Sequence, residues 1–358
     1  MFNTQTTVES IRRVQTGKPA PGKPAPGIGR TESCNIHYSM VDTPYKKDIV
    51  AALARAFRTK GMGVGFYYSW PDWHDPNFRW DKQSMFYDPQ YTMESDPVHW
   101  KLFLDRIRQQ VHELCTNYGD LVEMSLDGNL AESAWPETVK VVKMVRELQP
   151  NVLLRERGIG PYGDFTTPEH YVPQDPFKKP FAFPWEAIEH LGTRWAYEPN
   201  DEYKPKEWLL STLIDVVAKG GNFMPGVSPM ADGKFPPETT ERLHYVGAWL
   251  KVNGEAIYKT RPWNIFKEDE DLRFTRSKDG KYVYAIVLKW PGEALTIRSL
   301  RAVEGSEISM LGLKPGLRWR QNKEGLVIQI PRSIEKHKPC DQAYAFKIRA
   351  KPYQAAYD

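Results

Sequence analysis

Three features that would point to common protein classes are scarce in this chain. Cysteine occurs at only three positions, Cys34, Cys115 and Cys340, far apart and with no C-x-x-C pair. That excludes a disulfide framework and a cysteine-built zinc site. No apolar run approaches the ~20 residues of a membrane span, and the N-terminus lacks the basic-then-apolar order of a signal peptide. The expectation is a chain that binds no membrane and, if complete, is cytoplasmic. Neither sign of charge prevails, since 49 basic against 45 acidic residues give a net charge of +4. Such a balance argues against nucleic acid or an anionic bilayer as partner, and no RNP-type or Lys/Arg-clustered segment suggests otherwise.

The chain does carry aromatics, 12 Trp and 18 Tyr in 358 residues, within an ordinary globular composition of 41% apolar and 26% charged residues. Flat aromatic faces pack in cores, and they also stack on the C–H faces of sugars or on bases. Residues 1–16 are polar, and 17–29, GKPAPGKPAPGIG, form a Pro/Gly repeat, so 1–32 reads as an arm or linker. From residue 33 to 262 helical and strand patterns alternate, as in βαβ units. Helices are expected at 45–60 (capped by Asp42-Thr43-Pro44), 98–116, 136–148, 205–219 and 237–251. Strands are expected at 64–69, 121–126, 152–155, 181–185, 193–197 and 222–227. From 263 to 358 the pattern changes to short alternating strands at 272–275, 282–288, 295–297, 308–310, 326–330 and 343–348, an antiparallel β-sandwich.

The stretch around which the first region is organised is NYGDLVEMSLDG, residues 117–128. Side chains two apart share a strand face, so Glu123, Ser125 and Asp127 point one way and Val122, Met124 and Leu126 the other. Asp127 closes the strand at its carboxyl end, where active sites of (β/α)8 barrels are built, although Asp-Gly also starts ordinary turns. Arg157 lies just past the next strand, placed to bind either Asp127 or the local acid Glu156. The loop SWPDWHDPNFRW after the 64–69 strand is either an aromatic plug or a binding loop.

Further along, WEAIEHLGTRWAY, then LIDVVAKGGNFMPGVSPMADGKFPPETTERLHYVGAWL, closely resemble the family 29 α-L-fucosidases. GFYYSWPDWH, NYGDLVEMSLDG, GDFTTPE and RFTRSKDGKYVYAIVLKWPGE agree with that family's strand-plus-Trp loop, nucleophile strand, Thr-Pro-Glu loop and β-sandwich. The resemblance implies a retaining exo-glycosidase acting on a fucosylated glycan or small fucoside, without metal or organic cofactor. It implies Asp127 as nucleophile and Glu186 as acid/base, with Glu169 as runner-up. Such an enzyme holds two carboxyl groups about 5–5.5 Å apart. Tyr68, Trp70, Trp73, His74 and Arg157 are the candidate sugar contacts, and Trp185 or Trp195 the candidate apolar wall for the fucose methyl group.

Two departures from the family pattern stand out. Ser125 occupies the place, two residues before the nucleophile, where the family usually has Trp. The family's two opening strands, with Ile-His-Trp-Gly and Lys-His-His-Asp-Gly-Phe-like segments, have no counterpart, leaving about six barrel strands where closure needs eight. The expected architecture is therefore an N-terminally truncated or atypical (β/α)8 barrel followed by a sandwich. An open sheet edge should not survive bare, which points to a homo-oligomer, to the arm, or to a rearranged barrel filling the gap. The alternative function is a pseudoenzyme that binds glycan or only assembles.

Overall fold

The structure is a computed structural model that describes residues 44–70, 72, 75, 77–78, 92–128, 130, 134–174, 180–314 and 316–350. The chain divides into two compact units, Met1–Thr167 and Pro168–Asp358.

In the first unit, three parallel strands run in the order β1 (Gly65–Ser69), β2 (Glu123–Asp127), β3 (Leu153–Leu154). They alternate with helices α1 (Ile49–Thr59), α2 (Pro97–Thr116) and α3 (Trp135–Leu148). Helix α1 starts later than the Asp42-Thr43-Pro44 signal suggests, because Asp48 supplies the cap, its Oδ1 accepting from Ala51 N at 2.9 Å. Residues 42 and 43 lie outside the described residues. Asp96 caps α2 and Pro97 fills its first turn, where a missing N–H costs nothing.

The register pairs Phe66 with Met124, Tyr67 with Ser125, Tyr68 with Leu126 and Ser69 with Asp127. Alternation then separates two faces. Phe66, Tyr68, Met124 and Leu126 join the apolar core with Phe103, Ile107 and Val111 of α2 and Val141 and Val145 of α3. Tyr67, Ser69, Glu123, Ser125 and Asp127 share the face turned away from those helices. Both faces are buried through most of β2, as parallel sheets require.

In the second unit, β4 (Glu186–His190) pairs in parallel with β5 (Asn222–Gly226). Helices α4 (Lys206–Ala218) and α5 (Pro237–Asn253) precede and follow β5. The expected strands at 181–185 and 193–197 are replaced by this one strand between them. The aromatic alternation of 181–185 misleads because Pro184 has no N–H to donate and Phe183 is 77% exposed. Glu186 and Glu189 disguise the true strand, yet both are buried. Segment 193–197 is instead a loop pinned by Asp201, whose Oδ1 accepts from Thr193 N at 3.0 Å.

The antiparallel part holds a five-stranded sheet in the order β10-β13-β8-β7-β6 and a three-stranded sheet in the order β11-β12-β9. Its strands are β6 (Thr260–Lys267), β7 (Leu272–Ser277), β8 (Tyr282–Val287), β9 (Ala294–Ile297), β10 (Ile308–Met310), β11 (Trp319–Asn322), β12 (Gly325–Gln329) and β13 (Tyr344–Arg349). Strands β6 and β11 escape the sequence reading; β11 is WRQN, with a single apolar residue and so no alternation to read. Val283, Ala285 and Val287 of β8 pack with Leu295, Ile297, Leu326 and Ile328 between the sheets. Tyr284 and Ile286, on its other face, pack with Leu210 and Ile214 of α4 and Trp249 of α5. Asp215 of α4 reinforces this second layer by accepting from Arg273 Nε of β7 at 2.6 Å.

Among the described residues the parallel strands form two separate sheets, one in each unit, and no closed barrel. The five of them are one fewer than the six expected, since one strand stands where two were read. No described helix is long and apolar enough to cross a membrane.

Cys115 ends α2 with its Sγ 3.9 Å from Met124 Sδ, and burial pushes this thiol up from 9.0 to about 12. A raised thiol stabilises the fold fully below the unfolded value and loses that contribution as pH rises through the folded one. Denaturant unfolding followed by circular dichroism should therefore show stability falling between pH 9.0 and about 12, and Cys115→Val should flatten the fall.

Candidate active site

At the carboxyl end of β2 the Asp127 Oδ1 accepts from Arg157 Nε at 2.8 Å. The Asp127 carbonyl accepts from Trp70 N at 2.9 Å, so the strand end is fixed by backbone as well. No other described group hydrogen-bonds the Asp127 side chain, which leaves Oδ2 for chemistry. Arg157 takes this partner rather than its neighbour Glu156, because the Glu156 Oε1 is occupied by Thr167 N at 2.8 Å.

Four residues deeper on the same face of β2, Glu123 Oε1 accepts from Arg155 Nε. The Arg155 side chain is fully buried and its guanidinium lies 5.4 Å over the Tyr67 ring. Burial holds the Glu123 carboxyl above the usual carboxylate range, with Arg155 opposing that shift. The two arginines thus answer the two acids of β2 in order, and Ser125 sits between the pairs. This Glu123–Arg155 pair was not predicted, although both residues lie on strands at spacings that parity could have matched.

The turn that delivers Arg157 depends on Gly158. It adopts φ +73°, and a Cβ there would fall 2.1 Å from the Leu126 carbonyl oxygen and 2.6 Å from Trp70 Nε1. Only glycine fits both the left-handed backbone and the close approach. Beyond it, residues 163–167 return along β3: Asp164 Oδ2 accepts from Leu154 N at 2.7 Å, and Oδ1 accepts from Arg146 at 2.8 Å. Asp164 is therefore a clamp on the loop.

Tyr68 and Trp70 fall on the helix-facing side of β1 or its extension. The Tyr68 hydroxyl donates to Gln110 Oε1 at 2.8 Å, and Trp70 Nε1 donates to the Leu126 carbonyl at 2.6 Å. Both side chains are buried in the core and present no face to a sugar. Their neighbours Tyr67 and Ser69 occupy the face of Asp127 instead. Trp73 and His74 lie outside the described residues; Arg106 of α2 donates to Asp75 and lies 3.5 Å from Asp72.

In the second unit, the Thr-Pro-Glu segment lies beside β4, bridged at Glu169 and Ile188, with Ile188 N donating to the Pro168 carbonyl at 2.9 Å. Glu186 is buried at the start of β4, inside the strand rather than after it. Trp185 alternates to the helix side, where it packs with Ala187, Val216 and Phe181, and Gly221 makes room for its ring. It is a core residue. Trp195 packs on Gly226 at the end of β5 and meets the rings of His190 and His170 at 5.0 and 5.2 Å. His170 Nε2 in turn stands 3.4 Å from Glu169 Oε1. His190 was not singled out in the sequence; as the last residue of β4 it occupies the same kind of strand-end position as Asp127. No group of three or more His, Cys, Asp or Glu among the described residues is arranged to hold a metal ion.

Comparison with known proteins shows the family to which this chain is similar. The Alpha-L-fucosidase family model matches residues 31–255, and the Alpha-L-fucosidase C-terminal domain model matches 267–349. The rat plasma alpha-L-fucosidase is 31% identical over 332 residues, 87% of this chain and 69% of that protein. Human tissue alpha-L-fucosidase is 25% identical over 327 residues, 87% of this chain and 67% of that protein. Among solved structures, alpha-L-fucosidase isoenzyme 1 from Paenibacillus thiaminolyticus superposes with a TM-score of 0.72 at 26% identity, covering 90% of this chain and 80% of that one. The Thermotoga maritima alpha-fucosidase in complex with fucose gives 0.71 at 25% identity, over 89% and 72% of the two chains. The fold is that of the fucosidase glycoside hydrolases. The chain belongs to the α-L-fucosidase family, glycoside hydrolase family 29.

Removing one partner of a buried ion pair strands a charge, at about 3–5 kcal/mol, whereas replacing both by apolar groups is close to neutral. Urea denaturation should accordingly find Arg155→Met destabilised by about that amount, and the Arg155→Met, Glu123→Leu double variant restored to near the parent.

Proposed function

We propose that this enzyme hydrolyses α-L-fucosides with retention, by double displacement through a glycosyl-aspartate on Asp127. The observation that carries the reading is the Asp127–Arg157 pair at the carboxyl end of β2. Arg157 grips one carboxylate oxygen and aims the group, and the other oxygen attacks the anomeric carbon as the leaving oxygen departs. A carboxylic acid protonates that oxygen, then takes a proton from the water that releases fucose. Glu186 is the first candidate for this role and Glu169 the second. The carboxylates and water suffice for the reaction.

The same reading divides the chain into an arm at 1–32, a catalytic region of (β/α)-barrel type at 33–262 and a β-sandwich at 263–358. It also includes pairing between copies of the chain. Gel filtration with light scattering should return a mass above that of one chain, and a folded monomer would remove that part of the proposal.

Asp127→Ala should lower turnover of an aryl α-L-fucoside by about three orders of magnitude or more, and azide should restore part of it by filling the vacated space. A wild-type protein that is folded yet inactive would favour the glycan-binding pseudoenzyme. To assign the acid, Glu186→Gln and Glu169→Gln are compared on substrates with good and poor leaving groups. The acid's variant should lose far more on the poor one, because an activated phenolate leaves without a proton. Equal losses on both substrates would reject that residue as the acid.

A further inference from the structure

Trp135 and Tyr162 are large aromatics left half-exposed, 38% and 42%, on the first unit. Their ring centroids are 5.9 Å apart with planes tilted by 45°. They come from the two segments that leave the carboxyl ends of adjacent strands: Trp135 opens the helix after β2, and Tyr162 closes the short 3-10 turn Gly160–Tyr162 after β3. Those are the strand ends that present Asp127 and Arg157. The pairing is built in, since Gly160 sits at φ +51° with its Cβ direction 3.5 Å from Trp135 Cη2, and the Tyr162 carbonyl accepts from Arg146 at 3.2 Å. Neither the indole N–H nor the phenol hydroxyl has a partner among the described residues, so both remain available to hydroxyl groups.

A rigid pair of rings with open faces and spare polar edges suits the C–H face and hydroxyls of a pyranose. We propose that Trp135 and Tyr162 form a stacking platform for the leaving group of the substrate, a pyranose glycosidically linked to fucose, and so select glycan over small fucosides. The proposal rests on the reading of Asp127 as nucleophile.

The test compares kcat/KM for a fucosyl disaccharide and for α-L-fucosyl fluoride, whose leaving group spans no such platform, in wild type, Trp135→Ala and Tyr162→Ala. The ratio of disaccharide to fluoride should fall about tenfold in each variant, mostly through KM, the size of one lost aromatic contact. An unchanged ratio overturns the platform. Binding is read separately in Asp127→Asn protein, where the disaccharide should quench tryptophan fluorescence saturably and Trp135→Phe should abolish the quench. Saturable quenching without turnover by wild type would uphold the platform and reject the hydrolase reading. Quenching that survives Trp135→Phe, or none at all, rejects the platform. Thermal melts of each variant show that it is folded.

Discussion

The strand face that carries Asp127 depends on two acids of one strand being answered by two arginines that follow the next. Glu123 and Asp127 project from β2, and Arg155 and Arg157 from the end of β3, all on the side turned away from the helices. A parallel register fixed by Glu123 opposite Leu153 and Met124 opposite Leu154 makes the match possible. The deeper pair is buried and holds the strands together where an uncompensated charge would be intolerable. The outer pair is partly exposed and fixes the orientation of the Asp127 carboxylate at the strand end. One strand pairing thus supplies a buried ion pair and a partly exposed one.

Everything around Asp127 serves to hold that geometry still. Gly158 lets the chain turn within van der Waals reach of β2 and Trp70, and the Trp70 indole braces the strand by its hydrogen bond to Leu126. Asp164 ties the returning loop to β3. In the second unit, the five-stranded sheet buries one face against the three-stranded sheet and the other against α4 and α5. That double burial makes the helices flanking β5 part of the same compact unit as the sandwich, and so supports β5 and its partner β4, the strand that bears Glu186 and His190.

How much of this the sequence reveals follows from the physics of each signal. Asp127 was legible because strand parity and a following glycine mark a strand end without reference to the rest of the fold. Tyr68 and Trp70 were misjudged by one residue of parity: proximity to the active strand end suggested sugar contacts, while register assigns that face to Tyr67 and Ser69. Strand β4 was hidden because parallel strands buried on both faces do not alternate, and because Glu186 and Glu189 are residue types rarely buried in a strand. Trp185 looked like a wall of the site and is a core residue for the same reason. The Trp135–Tyr162 and His170–His190–Trp195 groupings join residues from separate loops, and no local pattern encodes which loops will meet.

Whether Asp127 forms a covalent intermediate is read by intact-protein and peptide mass spectrometry after incubation with 2-fluoro-fucosyl fluoride, whose fluorine slows breakdown of a glycosyl-enzyme. The expected result is one added fluorofucosyl group per chain, located on Asp127 and absent from Asp127→Ala. A label on any other residue, or none on protein that turns over fucosides, would contradict it.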